Sequence, residues 1–210
     1  MDKFLQVVQV FDKHAQAYQD RFMDTSLYHE LLQAFVQAVG NPAARVLDAA
    51  CGPGNMTHYL LQQQPEWDIL GTDLSPNMLE LARVNNPQAT FMAYDLRRLY
   101  TLNQRFNGIL CSFGLPYLDR EAAVQFITDA AQMLEPAGVL YISTMENDYD
   151  HSGWETNSAG DKVFVHYHEA GYLESAMQKS GLTVTTLQRQ DFPGKDGATL
   201  TDLILIAVKK

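Results

Sequence analysis

The chain has 210 residues, 46% hydrophobic and 19% charged, enough to bury a sizeable core as one domain without disulfide or metal staples. Its 15 Lys and Arg against 25 Asp and Glu give a net charge of −10, which argues against a general binder of nucleic-acid phosphate, since that takes a broad basic face. Two cysteines, Cys51 and Cys111, cannot build a disulfide framework, and no Cys/His pair has zinc-ligand spacing, so a reducing, cytoplasmic setting without a metal site is expected. The stretch from Met1 to Phe11 is apolar but broken by Gln6 and Gln9, and it lacks a cleavage site for a signal peptide. No run is long enough to span a membrane, so no membrane partner is expected.

Phe4, Val7, Val8, Phe11, Ala15 and Tyr18 recur at helical spacing and predict one amphipathic helix over Phe4 to Phe22. A second helix is predicted from Tyr28 to Val39, ended by Gly40-Asn41-Pro42. Arg45 to Ala50 then reads as a strand running into a turn at Gly52-Pro53-Gly54, Asn55 to Gln64 as a helix, and Trp67 to Thr72 as a strand. Ser75 and Pro76 supply an N-cap and first helical position for a helix to about Val84. Strands follow at Ala89 to Ala93 and Phe106 to Phe113, and a helix at Glu121 to Leu134 that stops at Pro136-Ala137-Gly138. The chain finishes with a strand at Val139 to Thr144, a helix at Glu169 to Lys179, and strands at Leu182 to Leu187 and Leu200 to Val208.

Strands separated by helices predict an α/β fold: a Rossmann-like, seven-stranded, mostly parallel sheet with helices on both faces. Only Gln188 to Thr199 joins the last two strands, with turn signals at Pro193-Gly194 and Asp196-Gly197, so the final strand is expected to run antiparallel. The segment Glu146 to Tyr167 shows no clear period before Val163-Phe164-Val165, and it follows the carboxyl end of the fifth strand, the edge at which open α/β sheets bind ligands.

Three features cluster at that edge. The first strand ends in Asp48-Ala49-Ala50-Cys51-Gly52-Pro53-Gly54, a glycine turn that lets backbone approach a ligand. Nineteen residues after Gly54 stands Asp73, placed to accept hydrogen bonds from ribose hydroxyls, and Tyr94-Asp95-Leu96 follows the third strand. Taken singly, each is also what an ordinary turn or helix cap looks like; their succession after three strands points to a nucleotide site. The turn lacks the third glycine of a dinucleotide fingerprint and the Gly-Lys-Ser/Thr of a P-loop.

The run Asp48 to Gly54, with the acidic second and third motifs and a reversed last strand, resembles the class I S-adenosylmethionine-dependent methyltransferases over nearly the whole chain. That resemblance implies one methyltransferase domain over residues 1–210, with residues 1–40 as a helical lid and 146–168 as an insertion near the acceptor site. It implies S-adenosyl-L-methionine as cofactor: Asp48, Ala50, Cys51, Gly52 and Gly54 around its methionine part, and Asp73 on the ribose. Leu74 and Met78 would line the adenine, Asp95 and Leu96 read its edge, and Cys111 lie in the fourth motif. Both cysteines are expected to be buried and inert rather than nucleophilic.

A sulfonium carries an activated methyl group, so the protein's task is alignment of a nucleophile and exclusion of water. The acceptor is expected to be a small molecule, attacking in line through O, N or C. Ser112 to Tyr117 lacks the Asn/Asp-Pro-Pro-Tyr/Phe run of base-methylating enzymes, and Cys111 is not preceded by proline, so no nucleic-acid partner is expected. Tyr18, Phe22, Tyr117, His151, Trp154, Tyr167 and His168 are candidate acceptor-site residues; packing of an insertion is the plain alternative for its aromatics. No catalytic base or metal cluster stands out, and the chain is expected to be a monomer or homodimer. A non-catalytic protein of the same fold, holding S-adenosylmethionine or its demethylated product, is the other reading.

Overall fold

A computed structural model describes residues 2–157, 159–193 and 199–210. In chain order its helices and strands are α1 (Lys3–Lys13), α2 (Ala15–Phe22), α3 (His29–Val39), β1 (Arg45–Ala49), α4 (Asn55–Gln63), β2 (Asp68–Asp73), α5 (Pro76–Asn85), β3 (Thr90–Ala93) and β4 (Phe106–Ser112). They continue with α6 (Arg120–Met133), β5 (Leu134–Glu146), β6 (Gly153–Thr156), β7 (Lys162–Val165), α7 (Ala170–Lys179), β8 (Leu182–Pro193) and β9 (Thr199–Lys209). Seven strands form one sheet in the order β3-β2-β1-β4-β5-β9-β8, and β6 pairs with β7 in a separate hairpin. β1 to β5 are parallel, while β9 runs antiparallel to both β5 and β8, as the short final connection predicts.

The central strands are apolar on both sides, because successive side chains leave a strand on opposite faces and both faces here are covered. Leu47, Ile109, Leu140, Ile142, Leu203 and Leu205 pack with α6 and α7 through Phe126, Ile127, Leu173 and Met177. Their neighbours Val46, Leu110, Tyr141, Ile204 and Ile206 pack on the other face with Leu32 and Phe35 of α3 and Met56 and Leu60 of α4. Ser75 caps α5 through its hydroxyl, which accepts from the Met78 N–H at 3.1 Å. Among the described residues, no helix is long and apolar enough to cross a membrane.

Four details differ from the sequence expectation. The single helix over Phe4 to Phe22 is two helices, because His14 leaves helical geometry at φ −111°, ψ 20°. The bend lets α1 lie against β7 and α5 while α2 also packs on α5, its end tied to the start of α4, where Asn55 Nδ2 donates to the Phe22 carbonyl at 2.9 Å. Periodicity cannot register such a bend, since the apolar positions continue through it. Between β3 and β4, where the sequence predicts no element, the connection Leu96–Leu102 carries 3-10 turns broken at Arg98, whose φ of −125° is not helical. The aperiodic segment after β5 holds the β6–β7 hairpin, whose four-residue strands are too short to show a period. Finally, β8 continues past Leu187 through the polar run Gln188-Arg189-Gln190-Asp191, which as a sheet edge needs no buried face. The turn signals Gly194 and Asp196-Gly197 lie outside the described residues.

Candidate functional site

The strand order reverses direction between β1 and β4, and in open α/β sheets a ligand crevice forms at the carboxyl ends of such strands. Here that point carries two non-glycine residues in the left-handed region, Ala50 at φ 58° after β1 and Phe113 at φ 55° after β4. Such geometry costs roughly 1–2 kcal/mol per residue, and strain of this kind gathers at ligand sites. Two adjoining cavities open there and share Phe11, Tyr18, Ala50, Gly52, Ser112, Phe113 and Tyr117 as walls.

The first cavity holds about 660 Å³, counted out to its mouth, between the strand ends and the inner face of α1. Asp73, Leu74 and Met78 line it from the end of β2 and the start of α5, Tyr94 and Leu96 from the end of β3, and Phe4, Val7 and Val8 from α1. Asp73 is held by backbone: its Oδ2 accepts from the Gly52 N–H at 3.0 Å and its Oδ1 from the Ser75 N–H at 2.9 Å. Burial pushes its carboxyl above the usual range, against the pull of those N–H groups.

Asp48 does not line this cavity but reaches the second; it is 1% exposed and accepts a 2.6 Å hydrogen bond from the Thr57 hydroxyl. Burial pushes its pKa up to about 7, the Thr57 bonds opposing the shift and the nearby Asp73 adding to it. A cationic ligand would reverse that shift, since opposite charge favours the ionised form.

The two turn glycines do different work. At Gly52, φ +52°, an added Cβ would meet only Tyr18 Cε1 at 3.8 Å, so the space above its backbone is free for a ligand. At Gly54, φ +78°, an added Cβ would lie 2.4 Å from Asn86 Nδ2 and 3.4 Å from the Ala82 Cα, so that glycine seats α4 against α5. Gly54 lines neither cavity.

Asp95 is committed to a neighbour. Its carboxylate accepts from the Arg97 N–H at 2.9 Å, from Nε at 3.0 Å and from a terminal guanidinium nitrogen at 2.7 Å. Burial raises its pKa, but the Arg97 hydrogen bonds outweigh burial and hold the carboxyl below its usual value. The same guanidinium reaches Asp2 at 2.6 Å and stacks 4.3 Å above the Phe4 ring, tying the start of α1 over the cavity. Farther along α1, Asp12 accepts from the Ser75 hydroxyl at 2.7 Å and the Asn77 N–H at 2.9 Å. At its end, Lys13 and His14 pair with Asp161 of the β6–β7 turn at 2.9 and 2.5 Å.

The second cavity is larger, about 1630 Å³ to its mouth, and mostly apolar in its walls. An aromatic row divides it from the first: Phe22, Tyr18, Phe11 and Tyr117 follow one another with ring centroids 4.7, 5.7 and 5.1 Å apart. Of the acceptor candidates read from the sequence, Tyr18, Phe22 and Tyr117 line this cavity. His151 is exposed and bonds Asn147, while Trp154, 47% exposed, lines neither cavity but a separate surface groove with Gln6, Gln9 and Lys13 of α1. The Tyr167 hydroxyl donates to Glu155, and His168 is buried between the Leu115 carbonyl and the Tyr172 hydroxyl. Burial lowers the His168 pKa to about 4, so that ring is neutral near pH 7.

Cys51 reaches the second cavity and Cys111 lines neither; burial raises both thiols, as suits packing rather than attack. Among the described residues, no group of three or more His, Cys, Asp or Glu side chains is placed to hold a metal ion. The sequence reading overlooked Tyr28, Met145 and Asp202, all in the second cavity. Asp202 did carry a signal, as the one charged residue within the apolar run Leu200 to Val208.

Residues 46–138 match a family model described as a methyltransferase domain. The chain is 38% identical over 106 residues to a trans-aconitate 2-methyltransferase of Variovorax paradoxus (strain S110), covering 50% of this chain and 40% of that protein. It thus spans about 40% of the length of the trans-aconitate relatives it matches. To an uncharacterized methyltransferase of Emericella nidulans it is 23% identical over 227 residues, covering 88% of this chain and 78% of that one. Its fold superposes with a TM-score of 0.71 on magnesium protoporphyrin IX methyltransferase of Synechocystis PCC 6803, solved with bound SAM, at 18% identity over 100% of this chain and 98% of that one.

Proposed function

We propose that this chain is a class I S-adenosylmethionine-dependent methyltransferase, that it binds S-adenosyl-L-methionine in the first cavity, and that it methylates a small organic acceptor held in the second. The observation that carries the reading is the adjacency of the two cavities along one shared aromatic wall. A protein that only stored the cofactor would have no use for the second.

The residues fit the cofactor. Asp48, buried on the wall of the second cavity beside the Ala50 and Gly52 turn that both cavities share, suits a cationic methionine moiety reaching the junction, and the open space over Gly52 admits that moiety's backbone. Asp73, fixed by two N–H groups, keeps acceptor capacity for the ribose hydroxyls. Leu74, Met78 and Leu96 offer apolar surface to the adenine. Asp95 contributes by fixing Arg97 and so the start of α1, and the Leu96 backbone remains as the reader of the adenine edge. The cofactor supplies an activated methyl group. What this chain's residues do is hold the two ligands in line and keep water out: α1 and α2 serve as the lid, and the β6–β7 hairpin closes its far end through Asp161. Proximity and orientation of that kind can lower a barrier by several kcal/mol, roughly 7–11 in ideal intramolecular cases.

The test is calorimetry with S-adenosylmethionine, S-adenosylhomocysteine and NAD, followed by a labelled-methyl screen over metabolite pools. The sulfonium ligand and its product should bind and NAD should not. Asp73→Ala removes hydrogen bonds to a charged group worth about 1.5–3 kcal/mol each, so affinity falls by 10²-fold or more, about 1.4 kcal/mol per decade, with circular dichroism unchanged. Binding of NAD alone, or unchanged affinity in Asp73→Ala, overturns the reading.

A further inference from the structure

Asp202 is a carboxylate inside the sheet's apolar layer. It stands on β9 opposite Met145 of β5, 2% exposed, and both residues line the second cavity. Its Oδ2 accepts a 2.6 Å hydrogen bond from the Tyr28 hydroxyl, and Tyr28 in turn packs its ring 5.6 Å from that of Phe113. Among the described residues, Oδ1 accepts no hydrogen bond from a side chain or from backbone. With one oxygen tied and the residue lining a cavity, this largely buried carboxylate keeps acceptor capacity for a donor on a ligand held there.

We infer that Asp202 and Tyr28 form the recognition site for the methyl acceptor, and that the acceptor presents an N–H or O–H donor on an apolar body. The inference rests on the second cavity being the acceptor cavity. Phe11, Phe22, Phe113 and Met145 contribute the apolar surface for that body. The tied oxygen makes Tyr28 a positioning residue: its hydroxyl, held un-ionised by burial and by the adjoining Asp202, fixes which oxygen faces the ligand. Burial lifts the Asp202 carboxyl to about 6, so near pH 7 it is ionised and accepts only. A carboxylate acceptor such as trans-aconitate has no proton to donate there and brings like charge against a buried anion. The preference deduced for this chain therefore parts from what its trans-aconitate relatives are named for.

The experiment uses the full chain saturated with S-adenosylhomocysteine and titrates four probes by NMR, with the Met145 methyl signal reporting on the cavity: phenol, benzylamine, toluene and trans-aconitate. Phenol or benzylamine should shift Met145, and toluene, of the same shape without the donor, should bind at least tenfold more weakly. Asp202→Asn should weaken the donor probe by tenfold or more while S-adenosylhomocysteine affinity stays unchanged. The inference is overturned if toluene binds as well as both donors, if neither donor binds, if trans-aconitate binds best, or if Asp202→Asn is indifferent. Should Asp202→Asn fail to fold, the phenol–toluene comparison on the unmodified chain still decides. Absence of S-adenosylhomocysteine binding would instead count against the proposed function, and the four probes would then be titrated into the free chain with the same criteria.

Discussion

Replacing each turn glycine by alanine separates ligand approach from helix packing within one short motif. Both positions have positive φ, at +52° for Gly52 and +78° for Gly54, so each alanine carries the left-handed penalty, roughly 1–2 kcal/mol. Beyond that the two differ. At Gly52 the new methyl group has only Tyr18 within 4 Å, at 3.8 Å, an ordinary contact. At Gly54 it would stand 2.4 Å from Asn86 Nδ2, whose amide donates to the Gly54 carbonyl at 2.9 Å, and 3.3 Å from the Ala82 Cβ. Asn86 is wholly buried and Ala82 belongs to α5, so neither moves without displacing the α4–α5 contact. Overpacking of that kind costs about 1–3 kcal/mol, and 1 kcal/mol moves the thermal midpoint of a chain this size by about 2–4 °C. Gly54→Ala should therefore melt about 2–12 °C below Gly52→Ala, while Gly52→Ala loses more affinity for S-adenosylmethionine relative to its stability. Thermal unfolding and calorimetry on both variants measure this. Equal midpoints, or unimpaired cofactor binding by Gly52→Ala, would refute the assignment of the two glycines.

Two other outcomes follow from the electrostatics of the site. Asp48 has a folded pKa of about 7, above its unfolded value, so its contribution to stability is full below the unfolded carboxylate range and is lost as pH rises through 7. A cationic ligand favours the ionised form, so binding below pH 7 should expel a proton, with affinity falling toward tenfold per pH unit; calorimetry in buffers of different ionisation heat detects it, and a constant affinity from pH 5.5 to 7 contradicts it. Arg97→Ala cuts the first turn of α1 from Asp2, Phe4 and Asp95; hydrogen exchange over Phe4 to Phe11 should quicken severalfold with little change in melting temperature, the guanidinium being about a third exposed. Unchanged exchange there would remove Arg97 as the fastening of the lid.

The sheet was legible because its strands are buried on both faces and its turns carry Gly and Pro, signals written in consecutive residues. The positions of Asp48, Gly52 and Asp73, proposed here for the cofactor, follow from the same signals: they stand at or just past the ends of β1 and β2, and strand ends set the crevice. The second cavity, proposed for the acceptor, was not legible. His168 looked like a site residue and is a packed core histidine: Tyr172 lies four residues on, but the Leu115 carbonyl that fixes the ring lies 53 positions away. The pairing of Tyr28 with Asp202 was not readable, although Asp202 alone stood out in its apolar run, because 174 positions separate them and only the reversed β9 brings them together. Asp95, read as a ligand contact, is committed to Arg97 by side-chain geometry that spacing does not encode.

The sequence by itself determined the sheet, its reversed final strand and the crevice at the strands' carboxyl ends, because local periodicity and turn chemistry specify where a strand starts and stops. Tertiary structure alone decided the bend at His14, the fastening of α1 by Asp2, Asp12 and Asp161, and the pairing of Tyr28 with Asp202. Those rest on contacts between segments far apart in the chain, whose partners are chosen by packing and charge in three dimensions.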